Sequence, residues 1–328
     1  MSAPPSEAAD IEPDSLESIG ASERRRALVI INPYATTVSE RVRKLVLSGL
    51  ASRYDLEAIE TRAPGHATEI ASEVADAGYD VVIAFGGDGT VNEVANGLVG
   101  SPTPLTPLPG GSANVYCKLL GIPADIVDAT EHLLGLADRW QPRLVDLGLV
   151  AGRHYTFSAG IGIDADVVRS VDSRPHLKRR FTANFFLASA FWTFWRRYLL
   201  HPPRLRVDVD GRTLSGVTAI VQNAEHYTYF KGHPIDLADG ARIDNGMLAG
   251  IVLHRGSLLD ALPVLLRAVR GGGAVAAHAH VSAFASAGQV TVSSADERTL
   301  PLQLDGDYIG EVSEACFTVR RGALRIIA

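Results

Sequence analysis

Cysteine is scarce in this chain: among its 328 residues only Cys117 and Cys316 are cysteines, and they lie far apart in the sequence. Two distant cysteines exclude a disulfide framework and a zinc site made of cysteine pairs. Long hydrophobic runs are also missing, since no stretch approaches the roughly 20 apolar residues that a membrane-spanning helix needs. The sequence therefore predicts a protein of a reducing, cytoplasmic compartment without a membrane-spanning helix.

A surplus of basic charge is missing as well. The formal net charge is -6, and six of the 37 acidic residues lie in 1–23, a stretch without any base. The rest of the chain carries 31 acidic and 31 basic residues, so no overall positive field favours nucleic acid as a partner. The stretch 1–23 is rich in proline, serine and acids and lacks apolar periodicity, which predicts a disordered acidic tail.

Hydrophobic residues make up 46% and charged residues 21% of the chain, as in globular proteins, and the length suits two domains. In the first part, predicted strands alternate with predicted helices. The strands lie at 27–31, 56–59 and 80–85, and the helices at 42–50, 66–77 and 90–98. This alternation predicts an α/β domain with a mostly parallel sheet over residues 24–145.

Short segments of alternating apolar and polar residues dominate after Asp146. They lie between Gly, Asp and Pro turns at 205–209, 218–222, 247–253, 289–292 and 317–319. This pattern predicts a mostly antiparallel β-sandwich over residues 146–328, whose last strand can return to the first domain. Helical stretches are predicted near 180–200 and 257–270.

A glycine-rich turn, Gly86-Gly87-Asp88-Gly89-Thr90, joins the strand at 80–85 to the helix that follows. Ligands bind at the carboxyl edge of a parallel sheet, and the amino terminus of a helix attracts phosphate. Asp88 would repel a phosphate unless it acts through Mg²⁺. The turn therefore predicts a phosphate site, with a plain strand-to-helix turn capped by Thr90 as the alternative.

A second glycine turn, Pro109-Gly110-Gly111-Ser112-Ala113-Asn114, follows one strand later. Ser112 and Asn114 could donate hydrogen bonds to the same triphosphate, or the segment could be an ordinary loop. The chain has neither the Gly-x-x-x-x-Gly-Lys-Ser/Thr motif of P-loop enzymes nor a Gly-x-Gly-x-x-Gly after its first strand. A P-loop enzyme is therefore excluded, and a dinucleotide dehydrogenase is disfavoured.

The segments 86–93, 109–114, 145–148, 159–165, 222–224 and 304–307, in this order, resemble the diacylglycerol kinase catalytic family of bacterial lipid kinases. Sphingosine and ceramide kinases and, more distantly, NAD kinases are related to that family. The resemblance spans residues 26 to 328 and implies an ATP- and Mg²⁺-dependent kinase that phosphorylates a lipid hydroxyl. Diacylglycerol, converted to phosphatidic acid in phospholipid biosynthesis, is the expected acceptor.

The resemblance also implies which residues contact the nucleotide. They lie at the ends of the first two strands and around the two glycine turns: Asn32, Thr61, Gly86, Gly87, Asp88, Gly89, Thr90, Asn92, Glu93, Gly111, Ser112 and Asn114. Tyr34 and residues 35–37 depart from the small or basic residues that the family carries after its first strand.

Asp305-Gly306-Asp307 is a favoured hairpin turn by its composition. Phosphoryl transfer to an alcohol also needs a carboxylate that orients the hydroxyl and accepts its proton. The resemblance implies that role for Asp305 and Asp307, with Asp88 as the third catalytic acid. The family has Glu where this chain has Asp307, whose side chain is one methylene shorter.

The resemblance further implies a structural Mg²⁺ held by an Asp before Gly246 and by nearby carbonyl groups. This chain has Asn245 at that position, with Asp244 one place earlier and Met247 two places later. Asn245 keeps an oxygen ligand without the charge, so either the metal affinity falls or Asp244 takes over. The expected metal ligands are thus Asp88, Asp244, Asn245 and Met247, and a plain turn at 244–246 is the alternative.

Residues 174–206 combine basic side chains with a block of aromatic ones. Such a segment suits an anionic membrane surface, which predicts peripheral association with the inner face of the membrane. A helix packed on the sandwich is the alternative. Nucleic acid is disfavoured here because the aromatic residues form one apolar block rather than spaced stacking positions.

Other functions stay open at this stage. A sphingoid base or another lipid alcohol could be the acceptor, and an NAD kinase is a second candidate that would need no membrane-facing segment. Asp307 and Asn245, which replace a Glu and an Asp of the family, leave room for a catalytically silent lipid-binding protein. The oligomeric state is open too, with a homodimer as one option.

Overall fold

The computed structural model describes residues 24–34, 38–172, 204–230, 232–255, 267 and 275–328. The predicted acidic tail at 1–23 and the helical stretch near 180–200 lie outside the described residues. Of the predicted membrane segment 174–206 only residues 204–206 are described, and of the stretch at 257–270 only Arg267.

The first part of the chain alternates strands and helices. Its elements are β1 (Arg25–Ile31), α1 (Glu40–Ala51), β2 (Tyr54–Glu60), α2 (His66–Val74), β3 (Val81–Gly86), α3 (Asp88–Gly97), β4 (Leu105–Pro109), α4 (Val115–Leu119) and α5 (Ile126–Leu136). The strands pair in parallel in the order β2-β1-β3-β4. The inner strands β1 and β3 are buried because helices pack against the sheet. Among these helices, α1 contacts α5 and α2 contacts α3.

The second part is mostly strands. Its elements are β5 (Arg143–Val150), β6 (Arg153–Tyr155), β7 (Ser158–Gly162), α6 (Ile163–Asp172), β8 (Leu205–Val209), β9 (Arg212–Gly216), β10 (Thr218–Gln222), β11 (Thr228–Phe230), β12 (His233–Ile235), β13 (Leu248–Leu253), β14 (Val281–Ala287), β15 (Gln289–Ser294), β16 (Leu300–Leu304), β17 (Asp307–Val312) and β18 (Glu314–Ile326). Six of them form an antiparallel sheet in the order β14-β13-β10-β7-β16-β17. A buried core that includes Val207, Val221, Leu302 and Phe317 lies between this sheet and strands β8, β15 and β18.

The long strand β18 belongs to both parts of the molecule. Its first half pairs antiparallel with β15, and its second half pairs antiparallel with β5 and, at Ile326, in parallel with β4. The pairing with β5 shifts register between Arg320 and Leu324, where Gly322 has a φ of 54°. A ten-stranded mixed sheet therefore continues from the α/β part into the sandwich.

The predicted fold class, an α/β part with a mostly parallel sheet followed by an antiparallel sandwich, is confirmed. One boundary differs in a way that matters for the site, because α3 begins at Asp88 rather than at Thr90. Gly87 takes the extended cap position, and an acid in the first turn interacts favourably with the helix dipole. Across the described parts of the chain, no helix is long and apolar enough to cross a membrane.

Candidate functional site

The two glycine turns pack backbone against backbone at the carboxyl ends of β3 and β4. The amide of Gly110 donates to the carbonyl of Gly86 at 2.8 Å. A Cβ on Gly111 would lie 2.7 Å from the Cα of Gly87, closer than real side chains come. Glycine is therefore required for the two turns to form one continuous surface, as a ligand that contacts both turns would need.

Side chains at the ends of β1 and β2 border this surface. The amide nitrogen Nδ2 of Asn32 donates to the hydroxyl of Thr90 at 3.1 Å, which ties the end of β1 to the first turn of α3. A Cβ on Gly86 would overlap the same Thr90 side chain. Thr61, just after β2, is half-buried and donates its backbone N–H to Ile31 at 2.8 Å.

Asp88 links the starts of two helices. It is the first residue of α3, and its carboxylate accepts the N–H of Tyr116, in α4, at 3.0 Å. Burial raises the pKa of Asp88 to about 6, and the negative charge of Asp305 acts in the same direction. The hydrogen bond from Tyr116 and the charge of Lys118 oppose that rise. A buried carboxylate with a raised pKa is a group that a bound cation would stabilise.

Asp305 occupies the hairpin turn between β16 and β17. Asp305 and Gly306 both have positive φ, 49° and 85°, so the predicted hairpin turn is present. The Asp305 side chain is 5% exposed and accepts five hydrogen bonds. The donors are the amide of Asn92 at 2.8 Å, the N–H and hydroxyl of Thr156 at 2.7 and 2.9 Å, and the N–H groups of Phe157 and Ser158 at 3.0 and 3.1 Å.

This cradle fixes the Asp305 carboxylate between the two parts of the molecule. Burial raises its pKa, while the donated hydrogen bonds work against that rise. Both oxygens are used in contacts that position the hairpin, which leaves little capacity for a substrate hydroxyl. The contacts of Asp305 therefore fix the hairpin that also carries Asp307.

Asp307, two residues later, faces the amino terminus of α3. A Cβ on Gly89 would overlap the Asp307 carboxylate, so the two residues are in direct contact. Asp307 is only half-buried. The fold therefore brings Asp307 of the second part to the helix terminus where Asp88 and both glycine turns lie.

Other predicted nucleotide residues serve the local structure. The Glu93 carboxylate accepts the N–H groups of Gly65 and Ala67 at 2.8 and 3.1 Å and so caps α2. The Asn114 side chain, at a φ of 46°, closes its own turn through two hydrogen bonds with Gly111. Asn92 is turned toward Asp305, and Ser112 is exposed on the second glycine turn.

The predicted metal turn at 244–247 lies apart from these residues, beside Asp146 and β18. Asp244 is exposed, and the side chain of Asn245 bonds to its own turn at Arg242, Met247 and Gly240. Within the described ranges, no three His, Cys, Asp or Glu side chains lie close enough together to hold a metal ion. The site residues predicted from the sequence thus fall into two separate places.

The sequence interpretation missed the groups that hold the hairpin. The Gln303 side chain donates to Asp164 at 2.7 Å and accepts the N–H of Gly306 at 2.9 Å, and Tyr227 donates to the same Asp164 at 2.8 Å. It also missed Lys118, whose ammonium group donates to the Ala113 carbonyl at 2.7 Å beside the second glycine turn. Backbone donors and lone polar residues in strands have no sequence signal, whereas a base one turn into a helix after a glycine turn could have been noticed.

Comparison with known families matches both parts of the chain. The family model described as the diacylglycerol kinase catalytic domain matches residues 26–147. The one described as the YegS C-terminal NAD kinase beta sandwich-like domain matches residues 158–328. Together they cover the α/β part and the sandwich.

Individual relatives agree with these matches along most of their length. A diacylglycerol kinase of Bacillus subtilis (strain 168) is 28% identical over 296 residues, which is 87% of this chain and 91% of the relative. One of Staphylococcus aureus (strain bovine RF122 / ET3-1) is 27% identical over 305 residues, 88% of either chain. A crystal structure of a diacylglycerol kinase from Bacillus anthracis strain Sterne superposes with a TM-score of 0.70 at 22% identity, covering 93% of this chain and 98% of that one, and shows the same fold.

Proposed function

The chain belongs to the family that joins a diacylglycerol kinase catalytic domain to a YegS-type C-terminal β-sandwich domain, and we propose that it transfers the γ-phosphate of ATP to a lipid hydroxyl. One observation carries this proposal: Asp307 contacts Gly89 at the amino terminus of α3, next to the two glycine turns. A carboxylate beside a phosphate-binding helix terminus is the arrangement that phosphoryl transfer to an alcohol requires.

The nucleotide would lie on the surface formed by the two glycine turns. Backbone N–H groups at the start of α3 would face its phosphates, and Asn32 and Thr61 would border them. Ser112 is exposed there and could donate a hydrogen bond. Lys118, held at the same turn through the Ala113 carbonyl, would add a positive charge close to the phosphates.

A Mg²⁺ ion accompanying ATP fits Asp88 at this place. Asp88 presents carboxylate oxygens, the ligands that Mg²⁺ prefers. A cation would also offset the burial that raises the pKa of Asp88. The ion would neutralise charge on the transferred phosphoryl group.

Asp307 is the residue we assign to the acceptor. As a carboxylate at the cleft between the two parts it would orient the lipid hydroxyl and take up its proton. Asp305 would act through Asp307, because its own oxygens accept hydrogen bonds from Asn92 and from 156–158. Gln303 and Asp164 would hold the same hairpin from the other side.

Diacylglycerol is the acceptor we favour, with phosphatidic acid as the product. The B. subtilis and S. aureus relatives bear the name diacylglycerol kinase and align over most of this chain. Such a substrate resides in a membrane, and we propose that residues 174–206 bind the anionic inner surface on which it is presented.

Product analysis with labelled ATP tests this function. The full chain would be incubated with Mg²⁺, γ-labelled ATP and mixed micelles containing diacylglycerol, sphingosine or no lipid, with NAD in a parallel reaction. We expect label in phosphatidic acid, and none with the Asp307→Asn variant. Label in a sphingoid phosphate or in NADP would change the acceptor, and vesicle binding without any labelled product would identify a catalytically silent lipid-binding protein.

A further inference from the structure

The turn at 242–247 is where the family resemblance implies a structural Mg²⁺, and its side chains do not fit one. The Oδ1 atom of Asn245 accepts the N–H groups of Arg242 and Met247 at 3.2 and 3.1 Å. Its Nδ2 atom donates to the carbonyl of Gly240 at 2.8 Å. The amide that replaces the family's Asp therefore closes the turn, and its oxygen already has two donors.

The acids near this turn are engaged as well. Both carboxylate oxygens of the buried Asp146 accept backbone N–H groups, from Gly246 at 2.5 Å and from Gly322 at 2.7 Å. Asp244 is exposed, with Oδ1 3.4 Å from the Nε of Arg242. A Mg²⁺ ion demands oxygen ligands in octahedral geometry, and the side-chain oxygens of Asn245 and Asp146 already accept backbone N–H groups.

A positive side chain already lies against the turn. The guanidinium of Arg321 packs on Gly246 so closely that a Cβ there would overlap it, and its Nη2 lies 3.4 Å from the Gly246 carbonyl. Arg321 comes from the register shift of β18, the same irregularity that turns the N–H of Gly322 toward Asp146. One bulge thus supplies both a cation and a hydrogen-bond donor to the 242–247 turn.

We infer that Arg321 and Asn245 replace the structural Mg²⁺ of the family, so that the turn is held to β5 and β18 without a metal ion. The amide of Asn245 holds the turn in place of a bond between a carboxylate and a metal ion. The guanidinium of Arg321 supplies a fixed positive charge beside the Gly246 carbonyl. This inference concerns folding and is independent of the acceptor proposed above.

Thermal unfolding of the full chain without nucleotide tests it. A site in the folded protein, at a Mg²⁺ concentration 100 times its dissociation constant, would raise the Tm of a chain of this size by about 4 °C. We expect the Tm in 10 mM MgCl2 and in EDTA to agree within about 1 °C. A rise that disappears in the Asp88→Asn variant belongs to the glycine turns and leaves the inference standing, whereas a rise that persists in that variant overturns it.

Variants of the turn provide a second, independent readout. We expect Arg321→Met to lower the Tm by about 2 °C with or without Mg²⁺, and Asp244→Asn, the matched control, to leave it unchanged. Adding Asn245→Asp to Arg321→Met should create a metal site at the turn, so that the Tm of this double variant rises with Mg²⁺. An Arg321→Met variant as stable as the original chain, or a double variant indifferent to Mg²⁺, would refute the replacement.

Discussion

Asp305 and Asp307 share one hairpin turn but have opposite surroundings. Five donors enclose the carboxylate of Asp305, whereas Asp307 is half-buried and contacts Gly89 at the start of α3. A carboxylate that accepts five hydrogen bonds can align a turn, while a proton acceptor must lie where the substrate hydroxyl can reach it. The two acids should therefore respond differently to the same substitution.

Asp307→Asn is expected to abolish most phosphoryl transfer while nucleotide binding persists. Loss of a general base costs roughly 10² to 10⁴ in turnover. Asp307→Glu, which restores the family's residue, should retain or raise kcat. Steady-state kinetics and calorimetric ATP binding would check this, and weakened ATP binding in the Asn variant would instead assign Asp307 to the nucleotide.

Asp305→Asn is expected to lower the free energy of unfolding by about 3 kcal/mol. The NH₂ group of the new amide would face the N–H and hydroxyl donors that now bind the carboxylate, and those donors would lose their acceptor. Urea denaturation measures this loss. Asp307→Asn is the matched control, since the same chemical change at a half-buried position should cost less than about 1 kcal/mol. Equal losses in the two variants would contradict the distinction between them.

Asp88→Asn is expected to lower turnover and to raise the free energy of unfolding. Turnover should fall at least about 100-fold, because the charge that would pair with Mg²⁺ is lost. The raised pKa of about 6, against an ordinary 3.8, means that the folded state loses stability as pH rises from 3.8 through 6. The variant should therefore be more stable than the original chain above pH 6, by up to about 3 kcal/mol, and the difference should vanish below pH 4. Denaturation at pH 4, 6 and 8 would show whether the gain has this dependence.

At the scale of elements, the contact between the glycine turns joins β3–α3 to β4–α4. Gly110 donates to Gly86, and a Cβ on Gly111 would lie 2.7 Å from the Cα of Gly87. A side chain at position 111 would therefore separate the two helix starts. Such a separation would move the backbone N–H groups that we propose face the phosphates of the nucleotide.

Gly111→Ala is expected to force the turns apart, lowering stability by about 1 to 3 kcal/mol and weakening ATP binding more than tenfold. Gly288→Ala is a suitable control, because a Cβ there meets nothing within 4 Å. Calorimetric ATP titration and thermal unfolding would compare the two. Normal ATP affinity in a folded Gly111→Ala protein would remove the second turn from the nucleotide site.

The strand boundaries show which elements a sequence pattern can predict. Strands β1, β3, β8 and β10 were predicted within two residues, because continuous or alternating apolar runs mark buried strands directly. Strand β18 was predicted only as 317–319, because Arg320, Arg321 and Gly322 interrupt the pattern at the register shift. A bulge that turns side chains toward another segment has no local apolar signature.

The sequence predicts only part of the candidate site, because only part of it has a recognisable local pattern. The glycine turns and the two hairpin acids have recognisable composition, but three of the five donors to Asp305 are backbone N–H groups about 150 positions away in the sequence. Glu93 and Asn114 have the right residue types for a phosphate site, yet they bind the backbone of α2 and of their own turn. Which partner a polar side chain takes is decided by tertiary packing.

At the scale of the whole molecule, the diacylglycerol that we propose as acceptor would reach the cleft from a membrane surface. If residues 174–206 provide the docking surface, vesicle binding should grow with anionic lipid and weaken with salt. Changing Lys178, Arg179 and Arg180 together to Gln should weaken binding by about 3 kcal/mol at low salt. Vesicle sedimentation measures the affinity.

A variant with Arg41, Lys44 and Arg212 changed to Gln is the matched control, since these exposed bases lie outside that segment. Activity on lipid in vesicles should fall only in the first variant, and activity on a short-chain, water-soluble diacylglycerol should be the same in both. Salt-independent binding, or equal losses in the two variants, would remove 174–206 from the membrane surface.

The position of β18 in the chain also bears on how the protein is made. A ribosome delivers this strand after every other described element, yet β18 is the neighbour of β4, β5 and β15 in the mixed sheet. Until residues 314–326 emerge, the nascent chain presents the edges of those strands without their partner. Exposed strand edges are templates for association between chains, so we expect the nascent chain to be most prone to aggregation in the interval before β18 emerges.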